Sequence, residues 1–170
     1  MTPSPENHPL ELDLQLATHP PGLPEPASFS LWAGAAANAA GIAGRTLTVR
    51  IVDAGEMRRL NGEYRGQDRA TNVLAFAFDP IRGVETDLLG DVVICAPVVA
   101  DEAHRQGKSL PAHWAHMVIH GVLHLCGYDH ADDRQAAEME ALEVRLLRDL
   151  GYPDPYRGPA GTATGTAGSP

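Results

Sequence analysis

Cysteine and lysine are scarce in this sequence, and long apolar runs are missing. The two cysteines, Cys95 and Cys126, form no C-x-x-C pair, and so few thiols exclude a disulfide framework. No apolar run approaches the ~20 residues of a membrane span, and no basic-then-apolar leader opens the chain. The expected compartment is the cytoplasm. Lys108 is the only lysine, so arginine carries almost all the positive charge, and arginine is the better fork for phosphate oxygens. Cations are short overall: the formal net charge is −9, which argues against indiscriminate binding to phosphates. The distribution is uneven. Residues 1–42 hold four acids and no Lys or Arg, whereas 43–82 hold seven Arg against five acids. A local excess of this size is also what a solvated face carries.

A chain of 170 residues with 44% hydrophobic content is long enough for one domain with a real core. Leu10, Leu12, Leu14 and Leu16 alternate with polar residues and predict a strand with one wet face. After a proline-rich loop, Ser28 is placed to cap a helix carrying Phe29, Trp32, Ala36 and Ala39. Leu47, Val49 and Ile51 mark a second strand. Asp53 with Glu56 forms a capping box for a helix turning Met57, Leu60 and Tyr64 inward. NVLAFAF (72–78) is a third strand, apolar enough to be covered on both faces, and LLGDVVIC (88–95) is a fourth. Breaks at Asp79–Pro80 and Gly83 leave no room for a helix between these two, so they should run antiparallel. Helices follow from Pro97 to about Gln106, from Ser109 to near Cys126, and from Asp132 to Leu150.

This order predicts one α+β domain over residues 8–156, with a disordered tail over 157–170. Its mixed four-stranded sheet should hold three parallel strands, taken as the first three, and one antiparallel strand, taken as the fourth. The helix from Ser109 to near Cys126, whose His120 and His124 lie four apart and make it a metal-bearing helix of zincin type, should pack on one face.

The chemistry centres on HGVLHLCGYDH (120–130). His120 and His124 are four apart, so on a helix both imidazoles leave one face. Gly127 lets the chain leave the helix and bring His130 back toward them. Three convergent neutral nitrogens with one open position suit a catalytic zinc better than a closed structural one. They leave the ion's full charge at that position, where a bound water's pKa falls toward about 7. Ligand type alone does not choose zinc over nickel or iron. The spacing equals that of the zinc-peptidase signature H-E-x-x-H-x-x-G-x-x-H, except that Gly121 replaces the glutamate. Glycine cannot accept a proton, so the peptidase's general base is missing. Phosphodiester cleavage needs instead a cation for the charge that develops in the transition state. RRLNGEYRGQDR (58–69) is the place to look for it.

LNGEYRGQDRATNVLAFAF (60–78), LLGDVVIC (88–95) and AHWAHMVIHGVLHLCGYDH (112–130), in that order, resemble the YbeY family of bacterial rRNA-maturation endoribonucleases. The resemblance covers most of residues 10–152. It implies a metal, usually taken as zinc, on His120, His124 and His130, and an essential arginine at Arg65. It implies single-strand RNA cleavage in maturation of rRNA termini, especially of 16S rRNA, and ribosome quality control. It also implies the small ribosomal subunit and an Era-type GTPase as partners. Ala70, Ala75 and Ala77 depart from the proline, serine and proline the family often has there.

From the residues alone, Arg65 reads equally as a cleft arginine or as a surface arginine paired with Asp68 or Glu63. Arg58, Arg59 and Arg69 read mainly as solvated, with phosphate contact as the alternative. His116, one turn before His120, is either packed or an orienting partner of a ligand, and His113 is read in the same way. Two other readings stand beside the nuclease. One is a ribosome-assembly factor with a metal staple, motivated by the missing base and the negative charge. The other is a metallopeptidase, which Gly121 opposes.

Overall fold

The computed structural model describes residues 10–78, 87–129 and 131–157. His130, the Asp79–Pro80 and Gly83 breaks, and the tail from residue 158 onward lie outside the described residues. In chain order the elements are β1 (Glu11–Leu16), α1 (Pro26–Ala39), β2 (Thr46–Val52), α2 (Ala54–Arg65), β3 (Val73–Ala77), β4 (Leu88–Cys95), α3 (Ala96–Gln106), α4 (Leu110–Leu125) and α5 (Asp133–Asp149).

The strands form one sheet in the order β1-β2-β4-β3. Leu14 lies beside Val49 and Val49 beside Val92 in parallel register, while Ala75 faces Val92 in antiparallel register. The α+β class and the three-to-one strand composition are as expected. The reversed strand is β3, however, and the parallel set is β1, β2 and β4. The reason is burial. Val92, Val93, Ile94 and Cys95 are all buried, so β4 takes the interior place between β2 and β3. The shorter β3 is left at the edge, and parallel pairing with β4 would need a crossover of a dozen or more residues.

Each face of the sheet has its own core. Leu47, Val49, Ile51, Val92 and Ile94 pack with Phe29 and Trp32 of α1, Trp114, Val118 and Val122 of α4, and Met139 and Leu147 of α5. Val52, Val93, Cys95 and Leu74 pack with Met57 of α2 on the opposite side. Each buried aliphatic side chain contributes about 1.5–3 kcal/mol. Edge strand β3 is covered on both faces, with Val73 and Ala75 toward α4 and Leu74 and Phe76 toward α2.

Two local expectations are corrected. Helix α1 starts at Pro26, not after Ser28, because proline at the first helical position already has the helical φ; Ser28 donates its backbone N–H to Glu25 O inside that turn. Tyr64 is 62% exposed rather than inward. The buried polar residue on α2 is Asn61, whose amide holds Arg69 O at 2.9 Å and so pins the loop between α2 and β3. The caps at Asp53 and Asp132 form as the sequence predicts, each carboxylate accepting a backbone N–H at 2.8 Å, from Glu56 and Gln135.

Candidate active site

Helix α4 is set by Ser109, whose hydroxyl accepts the Ala112 N–H, and by Pro111 in the first turn. Nearly every residue from Ala112 to Leu125 is buried. His113, His116, His120 and His124 follow one another at steps of three and four and so form a single stripe. At Gly121 the helix approaches the sheet so closely that an added Cβ would lie 2.6 Å from Val92 Cγ1 and 3.3 Å from Val73 Cγ2. The first contact is shorter than a Cβ makes without its neighbour shifting, so a side chain here would overpack the helix against the sheet. The glycine that takes the place of the peptidase glutamate is therefore also what lets the histidine helix lie against β3 and β4.

His120, Gly121 and His124 line a cavity of about 250 Å³ together with Val73, Leu74, Ala75 and Arg65. The hydrogen bonds of the two rings assign their tautomers. His124 Nδ1 lies 3.0 Å from the Tyr128 carbonyl. A carbonyl only accepts, so Nδ1 carries a proton, and in the neutral ring Nε2 keeps the lone pair. The turn at Gly127 (φ 105°) brings that carbonyl back to the ring. His120 Nδ1 lies 2.6 Å from Glu143 Oε2 and donates to it in the same way. Both rings thus present the nitrogen a metal needs, each oriented through its other nitrogen as metal-binding histidines are.

Glu143 of α5 is 0% exposed. Its Oε1 lies 3.3 Å from His116 Nε2 and also accepts the Tyr156 hydroxyl. Burial pushes this carboxyl up, but the hydrogen bonds and charges of His116 and His120 outweigh it and bring the pKa down to about 2. Burial, ahead of the Glu143 interactions, lowers the His116 pKa. Burial and the neighbouring carboxylate hold the Tyr156 phenol well above its ordinary range. His116, His120 and Glu143 are close enough to form a group that could hold a metal ion. Both Glu143 oxygens already accept hydrogen bonds, which fits a carboxylate that orients His120 better than one that ligates.

Sequence reading passed over Glu143 and Tyr156. The signal for Glu143 was present: it lies four residues after Met139 and three before Leu146, a carboxylate on the apolar stripe of α5. Nothing marked Tyr156.

Arg65, in the last turn of α2, reaches across the sheet edge. Its Nη2 donates to Ala75 O at 3.0 Å, and its guanidinium carbon lies 5.3 Å from the Phe76 ring centre. Asp68, the partner considered for it, pairs with Arg58 at 2.6 Å. Arg69 donates to the Gln67 side chain. Arg50, from the same arginine-rich segment, is forked onto Glu56. His113 belongs to a separate buried group: its Nε2 lies 2.8 Å from Glu102 Oε1, and Asn72 donates to the same carboxylate. Cys126 is off the imidazole stripe, and burial, only partly offset by Arg45, pushes its thiol up to about 11. It stays a thiol at neutral pH.

A mixed sheet, a histidine helix laid across it, and an arginine on the rim of the same cavity define an α+β protein with a candidate metal-and-phosphate cleft. The model of the Endoribonuclease YbeY family matches residues 29–151, and the chain belongs to that family. The fold is similar to the solution structure of TM1509 from Thermotoga maritima, with 26% identity, a TM-score of 0.56, and coverage of 83% of this chain and 88% of that one. Tyr156 lies outside the residues matched by the family model.

Proposed function

We propose that the protein is a metal-dependent, single-strand-specific endoribonuclease that processes rRNA, acting at the 16S 3′ end and in ribosome quality control. The observation that carries this reading is the shared cavity: Arg65 lines the same ~250 Å³ space as His120 and His124. His120 and His124 would hold the ion through Nε2, with His130 as third ligand and zinc as the ion. Bound there, a divalent ion supplies polarisation of a phosphoryl oxygen or a hydroxide near neutral pH. Arg65 faces the charge that accumulates on phosphorus. One of its five N–H donors is spent on Ala75 O, and the residue lines the cavity.

Small-ribosomal-subunit RNA is the proposed partner, with an Era-type GTPase beside it. No helix among the described residues is long and apolar enough to cross a membrane, which is compatible with the cytoplasmic site this function needs. Peptide hydrolysis is disfavoured, because the position of the peptidase base is filled by the sheet against Gly121.

The test is cleavage of one labelled RNA presented as single strand and as duplex, with and without a chelator. Chelator-sensitive cleavage of the single strand alone is expected. Cleavage that survives exhaustive metal removal would overturn the metal-dependent reading. The product ends assign the nucleophile: a 2′,3′-cyclic phosphate means attack by the RNA's own 2′-hydroxyl.

A further inference from the structure

The Glu143 carboxylate is shared. One oxygen takes His120 Nδ1, and the other takes both His116 Nε2 and the Tyr156 hydroxyl. His116 Nε2 is also 3.2 Å from the Tyr156 oxygen, and the two rings meet edge to face with centres 5.3 Å apart. These bonds on its far side oppose rotation of the carboxylate away from His120. His116 Nδ1 is buried without a hydrogen-bond partner. A neutral ring protonated on Nε2 therefore places its one N–H on this network and leaves only a bare acceptor in the apolar surroundings.

Tyr156 belongs to the segment after α5. Asp154 turns that segment back, accepting the Tyr156 N–H at 2.8 Å, and Tyr152 packs edge-on against Trp32. Tyr156 as a residue is 48% exposed, yet its hydroxyl reaches a fully buried carboxylate. An exposed aromatic that sends its polar tip inward is not needed to fill a core.

We propose that Tyr156 is a positioning residue of the metal site: it holds Glu143, and Glu143 holds His120 in the orientation and tautomer that ligation requires. The segment beyond α5 is then part of the site. This rests on the reading of His120 as a metal ligand, but not on the identity of the substrate.

Coupling is the measurable consequence, because residues acting through one another give non-additive losses. Zn2+ affinity would be measured by competition with a chromophoric chelator for wild type, Tyr156→Phe, Glu143→Ala, the double variant and, as the ligand-loss reference, His120→Ala. The Co2+ absorption spectrum and the metal-free melting temperature would be recorded for each. Glu143→Ala should bind about 10- to 100-fold more weakly. Tyr156→Phe, which keeps the ring, should bind about three- to tenfold more weakly with a shifted Co2+ band. The double variant should be no weaker than Glu143→Ala. If Glu143→Ala does not fold, Glu143→Gln takes its place.

Unchanged affinity in Tyr156→Phe overturns the proposal, as does a double-variant loss equal to the product of the single losses. Glu143→Ala losing the metal as completely as His120→Ala also overturns it, because Glu143 would then be a ligand. A wild type that binds no metal sinks the proposal together with the metal reading. A protein that shows the coupling but cuts no RNA keeps the proposal and sinks the nuclease reading alone.

Discussion

At residue 121 an ideal Cβ lies 2.6 Å from Val92 Cγ1, so any side chain there forces Val92 or the helix to shift, whatever its chemistry. Gly121→Ala should lower stability by about 1–3 kcal/mol, read as a lower urea midpoint. Arg65 is the complementary case. Sequence alone left it between a cleft and an ion pair with Asp68 or Glu63, because helical spacing does not say which acid an exposed arginine meets. The structure gives Asp68 to Arg58 and lays Arg65 against Ala75 O and Phe76. Arg65→Ala should lower RNA cleavage about 10²- to 10³-fold while metal content stays at the wild-type level. Arg65→Lys should restore little, since an ammonium lacks the planar fork. Loss of metal in Arg65→Ala would instead make the residue structural.

Among the elements, β3 and α4 form the two walls of the cavity, and Glu102 of α3 ties them together. It accepts Asn72 Nδ2 at 3.1 Å, just before β3, and His113 Nε2 at 2.8 Å, near the start of α4. Burial pushes the Glu102 carboxyl up, but the hydrogen bonds from His113 and Asn72 outweigh it and hold the pKa below its ordinary 4.5. A depressed carboxylate contributes stability above its unfolded pKa and loses it as pH falls through the folded one. Wild type should therefore be more stable than Glu102→Gln at pH 7, and the gap should close as pH falls below 4.5. Urea midpoints at several pH values check this, and a gap independent of pH would remove Glu102 from that role. The elements themselves were largely legible in the sequence: the caps at Asp53 and Asp132 and all four strands follow from local pattern. Which strand ran backwards was not, because strand order depends on how much apolar surface β4 buries between two neighbours, and periodicity does not report that. The histidine pair was legible from its spacing. Its carboxylate partner showed only as an acid on the apolar stripe of α5; that it meets His120 did not show, because Glu143 comes from another helix 23 residues later.

For the molecule as a whole, a net charge of −9 sits oddly with an RNA substrate until the arginines are followed individually. Arg45 binds the carbonyls of Asp87 and Leu88, Arg50 binds Glu56, and Arg58 binds Asp68. Three of the six arginines in residues 43–69 thus serve the fold, and Arg65 lines the cleft itself. Phosphate recognition by so few cations predicts a shallow salt dependence of RNA binding. Anisotropy titrations between 50 and 200 mM salt, about a fourfold range, would measure it, and a steep slope would mean that further cations contact the strand.

The central claim is that one cleft joins a histidine-held metal to Arg65 for RNA cleavage. Its most direct test is cleavage of a labelled RNA spanning the 16S 3′ end by wild type, His124→Ala and Arg65→Ala, with metal content measured on each preparation. The account predicts that only wild type cuts, that His124→Ala has lost its metal, and that Arg65→Ala has kept it. Equal cleavage by all three preparations would contradict it and leave the metal-stapled assembly factor as the reading to pursue.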